Sequence, residues 1–161
     1  MIRVPTFVSH SPINGLGLFA ACDIKKGDLV WSFEENFDHR YTDAEYEALS
    51  QGVKDYMAFY GYKYSKDGFY YLPVDNDRFV NHAEDANTYD AEDGNIYASR
   101  DIKEGEEITL NYQEFDCDWR GKLGLDNPHE KSQMEVIAEI MPSVEEVKKK
   151  VRKTKSRVLS S

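Results

Sequence analysis

At 161 residues, with 40% hydrophobic and 13% aromatic residues, the chain suits one folded domain and excludes a large multidomain machine or a disordered polypeptide. No apolar run approaches the ~20 residues of a bilayer span, and residues 1–10 hold no secretory apolar stretch, which predicts a soluble, unsecreted protein. Residues 1–140 carry 28 acids against 13 bases and residues 141–161 carry two acids against seven bases, so the acidic body repels phosphate backbones and attracts basic partners.

In chain order, Gly15-Leu-Gly17 forms a glycine loop or tight turn, and Asp23-Ile-Lys-Lys-Gly27 forms a charged turn feeding a strand at 29–33. Thr42 and Glu45 have the spacing of a capping box, which predicts a helix running through the Leu49 region. Aromatic and β-branched runs predict strands at 61–65, 69–72, 88–91, 96–99 and 108–112. Lys66-Asp67-Gly68 and Glu92-Asp93-Gly94 supply the glycine that tight hairpin connections need. Asp101-Ile-Lys-Glu-Gly105 echoes Asp23-Ile-Lys-Lys-Gly27 and predicts a second turn of the same kind. Beyond it, residues 130–140 look helical, and Ser143 with Glu146 opens a further helix with a narrow Val144, Val147, Val151 stripe. That basic end reads as a solvated tail or as a docking helix.

Two familiar chemistries fail on context. Gly15-x-Gly17-x-x-Ala20 fits the letter of a dinucleotide fingerprint, but the turn at Asp23 to Gly27 leaves no room for the helix that must follow. His82-x-Glu84 is half of a zinc deaminase signature whose cysteine half is missing. Cys22 and Cys117 are too few for a disulfide framework or a four-ligand zinc site, which points to a reducing compartment.

Three segments in one order carry more: Gly15-Leu-Gly17-Leu-Phe19, then Arg78-Phe-Val-Asn81-His82 followed by Asn87, then Gly105-Glu-Glu-Ile-Thr-Leu-Asn-Tyr112. Together they resemble the SET-domain protein lysine methyltransferases over about residues 4–119. Ala83, Glu84 and Ala86 stand where that family has Ser, Cys and Pro, and no cysteine-rich segment follows Tyr112, so the resemblance is to a small, zinc-free form.

The resemblance implies a mostly β fold with short helices, several small twisted sheets, knot-like threading near Asn81, and a helical C-terminal segment. It divides the chain into a methyltransferase domain at 1–125 and a basic segment at 126–161. It implies S-adenosylmethionine as cofactor, held by Gly15, Leu16, Gly17, Arg78, Asn81 and His82, with Phe115 or Trp119 closing over the adenine. Tyr112 would be catalytic, Tyr71 and Tyr89 would wall the lysine channel, and no metal would be required. The implied substrate is a lysine-rich protein or peptide, histone or histone-like. No nucleic acid or membrane is expected as partner, a homodimer is left open, and the location is intracellular: cytoplasmic, or nuclear for an enzyme acting on chromatin. An inactive module that binds basic peptides, and a scaffold assembling through its basic tail, are the alternatives.

Overall fold

The computed structural model describes residues 1–125. The two echoing turns meet at its centre. Ile24 and Ile102 pair as an antiparallel bridge, each N–H donating to the other's carbonyl at 2.8 and 2.9 Å. Lys25 reaches Asp101 at 3.1 Å while Lys103 reaches Asp23 at 2.9 Å. The carboxylates also cap backbone, Asp101 accepting from the Lys26 N–H and Asp23 from the Glu104 N–H, both at 3.0 Å. The likeness of the two sequences is therefore a local two-fold arrangement, with both isoleucines buried beneath it.

Three small sheets form among the described residues. In the first, β1 (Thr6–His10) pairs antiparallel with β2 (Leu16–Ala20). Its β10 (Glu107–Leu110) lies antiparallel to β2 and parallel to the short β7 (Asn81–His82), giving the order β1-β2-β10-β7. The second orders β3 (Leu29–Trp31), β9 (Ile96–Ala98) and β8 (Thr88–Asp90). The third orders β4 (His39–Tyr41), β6 (Tyr70–Leu72) and β5 (Tyr62–Lys63). Leu18, Ala20, Ile24, Val30, Ala98, Ile102 and Ile108 fill the core of the first two sheets, while Tyr62 and Tyr71 of the third pack on a second cluster of Tyr64, Leu110 and Phe115. Each large aliphatic among them contributes about 1.5–3 kcal/mol by leaving water.

Thr42 caps α1 (Asp43–Ala48): its hydroxyl accepts from the Glu45 N–H at 3.2 Å, and the Glu45 carboxylate accepts from the Thr42 N–H at 2.8 Å. The helix ends at Leu49, and a second, α2 (Gln51–Tyr60), follows and buries Met57. Sequence punctuation gave no hint of α2, because Gly52 reads as a breaker; it falls in the exposed first turn, where a glycine costs little. A four-residue turn of helix, α3 (Trp119–Lys122), lies at the end of the described chain.

Gly68 and Gly94 turn the two expected hairpins with φ of 79° and 76°, values that favour glycine. The last strand stops at Leu110, short of the expected 112, because the Asn111 side chain accepts from the Gln113 N–H at 3.1 Å and starts a 3₁₀ turn, Tyr112–Glu114. The fold is mostly β with short helices, as expected. The helices and basic run expected beyond residue 125 lie outside the described residues, and the knot-like threading stays an expectation. Among the described residues no helix is long and apolar enough to cross a membrane.

Candidate functional site

β10 sits between β2 and β7, so it brings the glycine loop, Asn81-His82 and Tyr112 to one end of one sheet. It is bolted there by Asn87, which is buried. The Asn87 side-chain oxygen accepts from the Thr109 N–H at 2.9 Å, and its side-chain NH2 donates to the Glu107 carbonyl at 2.8 Å. The expected glycine loop ends at Gly15, with Leu16 and Gly17 already in β2: the 11–15 loop closes when the Ser11 N–H donates to the Gly15 carbonyl at 3.0 Å, with Gly15 at a φ of 49°. The Asn81 amide reaches across from β7 and donates to the Leu16 carbonyl at 3.0 Å and the Asn14 carbonyl at 3.2 Å.

Gly17 is a glycine for a reason that sequence reading did not supply. A Cβ there would lie 2.2 Å from Glu107 Oε1 and 3.0 Å from the Ser11 Cβ. The missing side chain makes room for Glu107, whose carboxylate accepts from Asn81 Nδ2 at 2.7 Å and from the Ser11 hydroxyl at 2.9 Å. Neither Glu107 nor Ser11 was foreseen as part of the site. The available signal was the acidic pair Glu106-Glu107 inside the third motif segment. Glu106, just before β10, pairs with Arg100 at 2.5 Å, and Glu107 is the one that reaches Asn81.

His82 Nδ1 accepts from the Tyr112 N–H at 3.1 Å, which holds the imidazole with its proton on Nε2. The Tyr112 hydroxyl donates to the Val80 carbonyl at 2.5 Å. Around it stand Phe115, 5.9 Å away and perpendicular, and Tyr62, which stands edge-on to Phe115 at 4.9 Å and stacks on Tyr71 at 5.4 Å. Burial, then Asp77 and Asp116, push the Tyr112 phenol far above its ordinary range, and burial does the same to Tyr62. Tyr64, bonded to Asp90 at 3.1 Å, is pushed up to about 12 by burial first. Asp77 is raised to about 7 by burial and by Asp75. Tyr62 and Tyr112 keep some exposed surface while being desolvated, so their part of the wall disfavours charge, whereas Tyr64 sits against the Lys66–Asp90 ion pair.

The SET domain model matches residues 15–113. The chain belongs to the SET-domain family. Two solved structures share the fold of this SET domain. A humanized mutant of the Chaetomium thermophilum Polycomb Repressive Complex 2 with a bound inhibitor matches at TM-score 0.53 and 23% identity, covering 73% of this chain and 16% of that one. An apo form of that complex with substitutions in Ezh2 matches at TM-score 0.53 and 24% identity, covering 71% and 16%. A candidate histone methyltransferase of Plasmodium falciparum aligns at TM-score 0.49 and 22% identity, covering 69% of this chain and 95% of that one. No curated protein matches the chain.

Of the residues singled out in the sequence, the SET domain brings Gly15, Leu16, Gly17, Asn81, His82 and Tyr112 together, with Phe115 beside Tyr112. Arg78 lies on the 3₁₀ turn Asn76–Phe79, donating to the Val74 carbonyl at 3.0 Å and resting 5.0 Å over the Phe79 ring. Tyr71 joins the aromatic wall, and its hydroxyl donates to Asp67 at 2.7 Å. Tyr89 stands apart on β8, 41% exposed and tilted against Tyr97 at 6.1 Å. Trp119 is half-buried at the start of α3. Tyr62 and Tyr64 are absent from the sequence-based site; Tyr62 sits in the wall because β5 pairs with β6 there, and Tyr64 because it bridges Asp116 just beyond β5. Among the described residues no cluster of three or more His, Cys, Asp or Glu is placed to hold a metal ion.

Proposed function

We propose that this SET domain is an S-adenosylmethionine-dependent protein lysine N-methyltransferase acting on a basic protein. The observation that carries the reading is the convergence, at one end of β10, of an exposed glycine turn, the Asn81 amide and the Tyr112 hydroxyl. The residues fit such a cofactor: the exposed backbone of Asn14, Gly15 and Leu16 suits a polar amino-acid end, and half-buried Trp119 suits a flat base, whereas Phe115 is buried against Tyr62 and Tyr112 and supports the wall behind them. Arg78 and His82 complete the proposed cofactor set, His82 through its backbone and its bond to the Tyr112 N–H. When bound, the cofactor supplies an electrophilic methyl group on a sulfonium.

Tyr112 is the proposed catalytic residue. Its phenol stays protonated at any working pH and is oriented by the Val80 carbonyl, so its oxygen can accept from the substrate amine and hold it in line. The desolvated wall, with Tyr71 on it, favours the neutral lysine amine over the ammonium and keeps water out. Tyr89, exposed on β8, is assigned to the approach of the substrate rather than to the reacting amine.

The acidic body favours encounter with a lysine-rich substrate of histone-like charge over nucleic acid or an anionic membrane surface. The reading takes residues 1–125 as the methyltransferase domain, 126–161 as an appended basic segment, no metal in the chemistry, and an intracellular setting. Calorimetry with S-adenosylmethionine, followed by radiolabelled methyl transfer onto a panel of basic proteins, tests it. Binding that is abolished by Asn81→Ala in a folded protein, with label on lysine, is the expected result. No binding and no label would overturn it.

A further inference from the structure

Glu107 lies beneath the glycine loop, and its two oxygens are used differently. Oε1 accepts from Asn81 Nδ2 at 2.7 Å, and Oε2 accepts from the Ser11 hydroxyl at 2.9 Å. Ser11 Oγ itself accepts from the Ile13 N–H at 2.9 Å and the Asn14 N–H at 3.2 Å. With both lone pairs occupied, its single proton can go only to Glu107.

Every hydrogen bond of the Asn81 side chain is made by its NH2 end, to Glu107, Leu16 and Asn14. Its Oδ1 accepts none among the described residues. A half-turn of this amide would set Oδ1 against three acceptor oxygens, so its orientation follows from the partners. The Leu16 and Asn14 carbonyls are tilted toward Asn81 by the same contacts. One carboxylate thus fixes both the shape of the loop and the acceptor that Asn81 leaves open.

We propose that Glu107 is a positioning residue that locks the Asn81 amide with its NH2 on the glycine loop and its carbonyl oxygen turned outward, as an acceptor for a donor group on the cofactor. The cofactor part of this inference rests on the methyltransferase reading; the lock itself does not. Two acceptor oxygens at position 107 are needed because glutamine cannot serve both partners. If its oxygen faces Asn81, its NH2 faces the Ser11 hydroxyl proton; if its NH2 faces Asn81, donor meets donor. Removing the Ser11 hydroxyl relieves the first clash, so Ser11→Ala is a rescue partner for Glu107→Gln.

The test uses the full chain and two readouts. Hydrogen exchange at Asn81 Nδ2, followed by NMR without cofactor, is expected to be protected in the wild type and unprotected in Glu107→Gln. Calorimetry is expected to show Glu107→Gln weakening S-adenosylmethionine binding about tenfold, the effect of one misplaced hydrogen bond. Ser11→Ala combined with Glu107→Gln should recover part of that loss, which a merely structural role for Glu107 would not do. Unchanged exchange at Asn81 in Glu107→Gln overturns the lock, and wild-type affinity in that variant overturns the role of the Asn81 carbonyl oxygen as the cofactor's acceptor. A wild-type protein that binds no cofactor overturns the methyltransferase reading, and the exchange result alone then decides the lock.

Discussion

The paired turns at Asp23 to Gly27 and Asp101 to Gly105 and the cluster of Ser11, Asn81 and Glu107 are both built on carboxylates, yet they end differently. In the turns both aspartates are answered: Asp23 by Lys103 and the Glu104 N–H, Asp101 by the Lys26 N–H and Lys25, and these partners hold both carboxyls below their usual range. Near Tyr112 the environment works the other way, raising Asp77 to about 7 and lifting the phenol of Tyr112. The turns stabilise charge and close on themselves. The surroundings of Tyr112 disfavour charge, and the Asn81 cluster leaves an acceptor on Asn81 and a loop at the surface. Scaffold and site are told apart by what their hydrogen-bonding groups have left over.

The contrast is broken most severely from beneath. Ile102→Ala should destabilise the protein by about 2–5 kcal/mol, because Ile102 is fully buried, read as a large drop in the denaturant midpoint. Tyr112→Phe should lower kcat by about a hundredfold or more while S-adenosylmethionine affinity moves by less than about threefold, since the hydroxyl is assigned to the amine. A kcat within about twofold of wild type would remove Tyr112 from the chemistry.

Gly17→Ala comes next. Its Cβ would displace the Glu107 carboxylate, so cofactor affinity should fall about tenfold with a smaller change in melting temperature. Asp77→Asn sharpens the electrostatic side. A carboxyl raised to about 7 binds its proton more tightly in the folded state, so it makes wild-type stability decline as pH rises from about 4 to about 7. The variant should flatten that decline in melts across the range. Asp23 and Asp101, with lowered values, act in the opposite sense and favour the folded state until pH falls through the normal carboxyl range. The smallest effect belongs to Lys103→Ala: its ammonium is exposed, so melting should barely move at physiological salt.

Legibility in the sequence followed the same division. The capping box at Thr42, the Gly68 and Gly94 hairpins and the echo of Asp23 in Asp101 depend on neighbours in sequence, and each signal was local. β1, β2, β4 and β7 were not legible: Gly15 and Gly17 made the start of β2 read as a loop or tight turn, and β7 is two residues long and exists through its pairing with β10. The motif residues Asn81, His82 and Tyr112 were visible as a pattern, but their couplings join positions about thirty apart. The Asn81–Glu107 bond, and therefore the reason for Gly17, appears only once β2, β7 and β10 are side by side. Tyr62 and Tyr64 were hidden among the eleven tyrosines of the chain, since ring packing has no signature in one strand.

The parallel pairing of β10 with β7 also bears on how the molecule comes to exist. The pairs β1-β2, β5-β6 and β8-β9 can each close soon after their residues leave the ribosome, whereas β2 and β7 must wait for β10. Contacts so distant along the chain form slowly, because loop closure precedes any gain from them. The nascent protein would carry an open strand edge at β2 through most of its synthesis, a state prone to self-association that the arrival of β10 ends. Competence and protection of that edge would then be acquired in one late step of folding.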